Sequence, residues 1–313
     1  MSNLHFTNRG SCPVCHSQNF TSIYQAPLDK PPISRYLEEF YSPQGGVEFE
    51  YLEGATYELC ECDSCSLIFQ KEVPAEPLME RLYEVWIDPQ KALDQHLQAD
   101  GLAHYSYHAQ EIMQIVAWRG TTPASLSVLD FGMGWGEWVL MAKALGCDAW
   151  GTELSKERIR HAQSNGIKVV SWQEIPRHDF DFINTEQVFE HIARPLETLS
   201  HLCKALKPGG VIKISVPTAS DIKRRLRLLD WAADKESANS LNPIAPLEHI
   251  NFYRRKSLLR MAGIVGLREV RMPLTACYQA LFVSLSVETT LKNLLRPIYR
   301  NVLQRQNCLF FCR

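Results

Sequence analysis

The chain has 313 residues, 45% of them hydrophobic, and a formal net charge of −2, a length that holds one full α/β domain and a smaller module. The balance of charge lacks the basic footprint that nucleic-acid binding needs, which excludes that class of partner, and no stretch is long and apolar enough to span a bilayer. The polar start, with Asn3, His5 and Asn8, has no apolar leader, so a cytoplasmic location is expected and the ten cysteines read as thiols and metal ligands rather than a disulfide framework.

Residues 1–75 read as a zinc-binding module. Cys12-Pro-Val-Cys15 and Cys62-Asp-Ser-Cys65 each offer two thiolates at the spacing that grips one side of a tetrahedral Zn²⁺, and together they close the site, which makes the metal structural. A redox role would need a βαβ setting that neither pair has. Cys60 is a competing ligand two residues before Cys62, or a plain thiol on the same strand. Between the pairs, Ala26–Ile33 and Ser42–Gly46 are turn-rich, with Val47–Tyr51 as a short strand.

Residues 76–120 form a helical linker, with Leu78, Leu82, Ile112, Ile115 and Val116 at spacings of three and four. Tyr105, Tyr107 and His108 make an aromatic cluster there, either core or a lid over a ligand.

A third region, 121–287, begins with a buried strand over Leu126–Phe131 that ends in Gly132-Met-Gly134-Trp-Gly136 and opens a helix at once. Glycines bring backbone amides close to a ligand. Glu137 stands where a dinucleotide fingerprint has its third glycine, and a carboxylate there repels a pyrophosphate, so the turn favours a nucleoside without phosphates, S-adenosylmethionine foremost. Glu153, at the end of the next strand and about 20 residues on, is set to grip ribose hydroxyls. Ser155 caps a helix ended by Gly166, and Ile167–Val170 is the third strand.

Phe180–Thr185 is the fourth strand, and its carboxyl end, Glu186-Gln-Val-Phe-Glu-His191, lies beside the glycine turn by the switch-point rule. Leu196, Leu199, Leu202 and Leu206 mark a helix, and Pro208-Gly-Gly210 turns into the fifth strand, Val211–Val216. An insertion over 218–248 follows, with a helix Asp221–Trp231 and a cationic run Lys223, Arg224, Arg225 and Arg227, joined later by Arg254 and Arg255, which reads as a solvated face or as donors to an anionic substrate group. Helix Ser257–Val265 and strands Leu267–Met272 and Ala280–Val287 come next. Residues 288–313 are an amphipathic tail, with Leu291, Leu294, Leu295, Ile298 and Val302 opposite Lys292, Arg296, Arg300 and Arg305, more suited to packing on its own domain or a second subunit than to a membrane.

Residues 126–217 resemble a class I S-adenosylmethionine-dependent methyltransferase. Val128-Leu-Asp-Phe-Gly-Met-Gly-Trp-Gly136, Glu153, Phe180–His191 and Leu206-Lys-Pro-Gly-Gly210 come in that family's order, and the N-terminal cysteines resemble the zinc module of its deoxysugar and small-molecule C-methyltransferase type. The resemblance implies a Rossmann-like, doubly wound, mostly parallel sheet with a small zinc-ribbon-like module, and S-adenosylmethionine held by Asp130, Gly132, Gly134, Gly136 and Glu153. Family members often carry an acidic residue after the third strand to bind adenine. This chain has Trp172 and Gln173 there, which would stack on the base and accept from its amine. Glu248-His-Ile-Asn-Phe-Tyr253 is similar to the family's Glu-His block; His191 and His249 both follow strands whose carboxyl ends should line the cleft, which makes them the candidate general bases. The function expected is methyl transfer to a small polar metabolite, a nucleotide sugar foremost; the rival is a non-catalytic scaffold protein that engages a partner through the zinc module.

Overall fold

The computed structural model describes residues 4–88, 91, 102–234, 237–281, 283, 286–298 and 307–313. In chain order the first elements are β1 (Phe6–Asn8), β2 (Phe20–Pro27), α1 (Ile33–Tyr41), β3 (Thr56–Cys62), β4 (Ile68–Gln70), β5 (Glu72–Pro74) and α2 (Glu76–Arg81). Then come α3 (Leu102–Arg119), β6 (Ser127–Phe131), α4 (Glu137–Ala144), β7 (Asp148–Thr152), α5 (Lys156–Ser164), β8 (Lys168–Val169) and β9 (Phe180–Glu186). The remainder is α6 (Pro195–Cys203), β10 (Leu206–Ser215), α7 (Ile222–Leu228), β11 (Asn251–Phe252), α8 (Arg255–Ile264), β12 (Arg268–Val270), α9 (Leu274–Gln279), α10 (Val287–Ile298) and β13 (Cys308–Cys312).

The chain divides into two compact units, one of residues 1–95, 189–198 and 217–264 and the other of 96–188, 199–216 and 265–313. In the first, β11-β4-β3-β2 form an antiparallel sheet and β1 pairs with β5. Its core joins Leu28, Ile33, Leu37, Tyr41, Tyr57 and Trp86 to Ile222, Leu226, Trp231, Ile244 and Phe252. Residues from the insertion are thus interior to the same core as the N-terminal segment. Helix α7 is shorter than the predicted Asp221–Trp231 because Leu229 turns left-handed, at φ 48°, and its N–H closes on the Arg225 carbonyl. No glycine marks that stop.

The second unit is a seven-stranded sheet in the order β12-β13-β10-β9-β6-β7-β8. Strands β8, β7, β6, β9 and β10 are parallel, while β13 runs antiparallel to both β10 and β12. The chain builds outward from β6 to β8, returns, and builds the other way from β9 to β10, so the order reverses between β6 and β9. The Rossmann-like, mostly parallel sheet expected from the glycine turn and its neighbours is present.

The last strand is a correction. The described residues of 280–287 are not in a strand, 282 and 284–285 lying outside the described residues, and Leu274–Gln279 is helix. The antiparallel strand is β13, whose Leu309 and Phe311 are buried. The predicted tail helix is present as α10, with Pro297 inside it, whereas Arg300, Val302 and Arg305 lie outside the described residues. Among the described residues no helix is long and apolar enough to cross a membrane.

Candidate active site

In the second unit the glycine turn leaves β6 at its carboxyl end and is bolted to the end of β7, where the Thr152 carbonyl accepts from Gly132 and Met133 N–H at 3.0 and 3.1 Å. Gly132 and Gly136 have left-handed φ of 72° and 87°, which strains any side chain, and a Cβ would also stand 2.7 Å from Val188 Cγ2 or 2.8 Å from Ile167 Cδ1. Gly134 differs. At φ 57° a Cβ there would meet nothing within 4 Å, which leaves an open cradle over the turn. The half-buried Glu153 reaches back to this point, its Oε2 accepting from Gly134 N–H at 2.9 Å and its Oε1 from Leu154 N–H at 2.8 Å. The turn and the carboxylate expected to hold one cofactor therefore form one hydrogen-bonded unit.

Asp130, 4% exposed at the end of β6, accepts from Asn184 Nδ2 at 2.8 Å. Burial pushes its carboxyl up to about 7, although the Asn184 hydrogen bond and the nearby Lys213 charge pull the other way. A carboxyl raised in the folded state favours folding fully below its unfolded value, and that contribution is lost as pH rises through about 7. At about 1.4 kcal/mol per pH unit, the loss between pH 4 and pH 7 is expected to reach at most about 4 kcal/mol. Urea unfolding of wild type and Asp130→Asn across that range checks it: their difference should widen with pH, and parallel curves would refute the assignment.

Trp172 is exposed and stacks on His201, with ring centroids 3.8 Å apart and planes 14° apart, while Gln173 is exposed beside it. Sequence reasoning missed the centre of this unit's polar interior. Lys213, 1% exposed in β10, donates to both Glu111 oxygens at 2.8 and 2.9 Å and pairs with Glu186 Oε2 at 2.6 Å. Trp138 Nε1 donates to Glu111 and Ser215 Oγ to Glu186. Burial opposes the ammonium charge, but the two carboxylates hold it well above its ordinary value. A single lysine in the apolar strand Val211–Val216 was the one available signal.

In the first unit the four predicted cysteines converge. Cys12 and Cys65 Sγ are 3.6 Å apart, Cys15 and Cys62 Sγ are 3.5 Å apart, and all four lie within 4.8 Å of one another. Tetrahedral Zn²⁺ with bonds of about 2.3 Å sets its sulfurs about 3.8 Å apart, so the set fits that ion. The residue after each pair, His16 or Ser66, is left-handed, at φ 57° and 63°, which lets the chain fold back on its own cysteine carbonyl. Cys60 is outside the four and lies 3.8 Å from Glu58 Oε1.

The same unit brings His191 and His249 together, ring centroids 4.9 Å apart, with the carboxylate of Glu190 beside them. Burial, with a smaller contribution from His249, pushes His191 down to about 3, and burial lowers His249 as well, so both rings are neutral at neutral pH. Glu190 was not singled out from the sequence. The cationic run is largely engaged within the unit: Lys223 and Arg254 pair with Glu61, and Arg224 and Arg225 with Asp221.

Comparison with known proteins follows the same lines. The chain is 26% identical over 157 residues to the ubiquinone biosynthesis O-methyltransferase of Vibrio cholerae, across 45% of this chain and 61% of that protein. The corresponding protein of Aliivibrio fischeri matches at 26% over 154 residues, across 45% and 64%. The chain thus spans about three fifths of the length of the curated relatives it matches. Among solved structures it is similar to the plantazolicin methyltransferase BpumL in complex with a monoazolic desmethylPZN analog and SAH (18% identity, 75% of this chain, 92% of that one, TM-score 0.46). It is also similar to a SAM dependent methyltransferase from Archaeoglobus fulgidus (17%, 65%, 94%, TM-score 0.39). Residues 91–271 match the family profile described as methyltransferase domain. With more than half its length inside that profile and the sheet described above, the chain belongs to the methyltransferase-domain family, of the class I S-adenosylmethionine-dependent kind.

Proposed function

We propose that the protein transfers the methyl group of S-adenosylmethionine to a small polar metabolite, a nucleotide sugar being the acceptor class favoured by the zinc-bearing N-terminal unit. The observation that carries this is the open cradle at Gly134 with Glu153 hydrogen-bonded beneath it. In this reading Gly132, Gly134 and Gly136 face the cofactor, Glu153 holds its ribose, Asp130 supports the turn from below, and Trp172 and Gln173 take the adenine. The cofactor supplies a methyl that is already activated on sulfonium sulfur, so the residues mainly bind and align. His191 and His249 serve the nucleophile of the acceptor. Cys12, Cys15, Cys62 and Cys65 hold one structural Zn²⁺. A second copy packs on the face of α10 where Val287, Leu291 and Leu295 are exposed.

Calorimetry tests the cofactor assignment. S-Adenosylmethionine or its demethylated product is expected to bind with one site per chain, and Glu153→Ala to weaken it at least about tenfold, as loss of a charged hydrogen-bond acceptor does. Binding of nicotinamide dinucleotides in their place would overturn the reading. For the acceptor, labelled cofactor with a panel of nucleotide sugars and hydroxylated metabolites is the direct assay, the latter because the curated relatives are named O-methyltransferases.

A further inference from the structure

Glu190 and His191 sit on a single 3₁₀ turn, Phe189–His191, and His249 lies just before β11. The two segments are tied together backbone to backbone and through two buried side chains. Ile250 N–H donates to the Glu190 carbonyl at 2.8 Å, and Asn251 Nδ2 donates to the carbonyls of Phe189 and Ile192 at 3.0 and 2.7 Å. Asn251, 1% exposed, is itself fixed by Arg9 Nη1, which donates to its Oδ1 at 2.7 Å, and Tyr253 Oη adds a 3.3 Å bond to the Phe189 carbonyl.

Each imidazole is oriented in the way a metal-ligating histidine is. His191 Nδ1 lies 2.9 Å from the Glu248 carbonyl and His249 Nδ1 lies 3.1 Å from the Pro243 carbonyl. A carbonyl only accepts, so in both rings Nδ1 carries the proton and Nε2 keeps the lone pair. Such a bond from the remote nitrogen fixes tautomer and ring direction in metal sites. His191 Nε2 stands 4.0 Å from Glu190 Oε1, the Glu190 side chain is 2% exposed, and His191 is 24% exposed. One ligand atom from each of the three residues falls within 4.8 Å of the other two.

We propose that Glu190, His191 and His249 form a second metal site, distinct from the four cysteines, that takes a divalent first-row cation. Bonds of about 2.0–2.2 Å set neighbouring ligand atoms about 3.0–3.4 Å apart, so the three close inward by roughly 1 Å on the ion. Two imidazoles and one carboxylate suit Mn²⁺, Fe²⁺ or Zn²⁺ and leave coordination positions for oxygen ligands. On the proposed methyltransferase reading, the ion there would bind the oxygen of the acceptor and lower its pKa, with the histidines acting as ligands. The site itself stands on the side chains and does not depend on that reading.

The experiment is metal binding to the full chain carrying its first zinc equivalent, without cofactor or acceptor. Mn²⁺ is titrated by electron paramagnetic resonance, and Zn²⁺ is counted by elemental analysis after gel filtration. A saturable additional equivalent of at least one of these ions is expected, weakened tenfold or more in His249→Asn and in Glu190→Gln and unchanged in His104→Gln. Circular dichroism identifies a variant that has lost its fold, and His249, only half-buried, keeps the test decisive if Glu190→Gln fails in that way. No additional equivalent of either ion, wild-type binding by folded His249→Asn, or loss on replacing His104 instead, which would point to the His104, His108 and Glu137 cluster, overturns the site. Because no methyl transfer is measured, failure here leaves the cofactor assignment untouched, and calorimetry with S-adenosylmethionine decides that separately.

Discussion

Replacing Cys62 by Ser is expected to release one zinc per chain and to destabilise the first unit by the largest margin of any single change. Four thiolates at tetrahedral spacing tie β3 and its following turn to the segment between β1 and β2, across 50 residues of sequence from Cys12 to Cys62. Structural zinc is worth about 10–16 kcal/mol in isolated zinc-finger peptides, where the metal is the core. Here an extensive apolar core shares the work, so part of that energy is not needed for folding. A loss of several kcal/mol is still expected, and at about 2–4 °C per kcal/mol for a unit of this size the unfolding temperature should fall by about 10 °C or more. Cys60→Ala, outside the four, should keep the zinc. Elemental analysis with thermal unfolding reads both, and a Cys62→Ser protein that retains its zinc and its unfolding temperature would remove the assignment.

The sheet was legible because its signals are local. An apolar strand, a turn whose glycines all have left-handed φ, and a carboxylate about 20 residues on all leave marks in a single window of sequence. The cysteine pairs were legible for the same reason, their spacing being the bite of the metal. What was not legible depends on contacts between distant segments. The antiparallel strand at Cys308–Cys312 carries only five residues of pattern, and its pairing with Val211–Ser215 decides it, whereas the longer apolar stretch from Ala280 has a strand's composition but its described residues are in no strand. Likewise α7 ends at Leu229 with no glycine to announce it, and Glu190 takes its place beside His249 because Ile250, Asn251 and Tyr253, some 60 residues on, bond the turn that carries it.

Lys213→Met is expected to destabilise the second unit by about 3–5 kcal/mol, the cost of leaving a buried charge without its partner. The methionine is close to the lysine in length and fills the same apolar space in β10, so loss of packing is small and the measured effect is electrostatic. The two carboxylates do not suffer equally. Glu186 has a side chain 40% exposed, and water can screen it once the ammonium is gone. Glu111, at 5%, has no such recourse, and the neutral Trp138 indole that donates to it does not replace an ammonium, so it must take up a proton or bear the cost of the buried charge. The loss should therefore shrink as pH falls, since protonating Glu111 removes the uncompensated charge. It should also shrink in Lys213→Met combined with Glu111→Gln, which keeps the hydrogen bond from Trp138 and removes the charge. Urea unfolding of wild type, the single variant and the double variant at pH 5 and pH 8 separates these contributions. A single variant within about 1 kcal/mol of wild type, or a double variant no more stable than the single, would mean that the lysine is not what compensates Glu111.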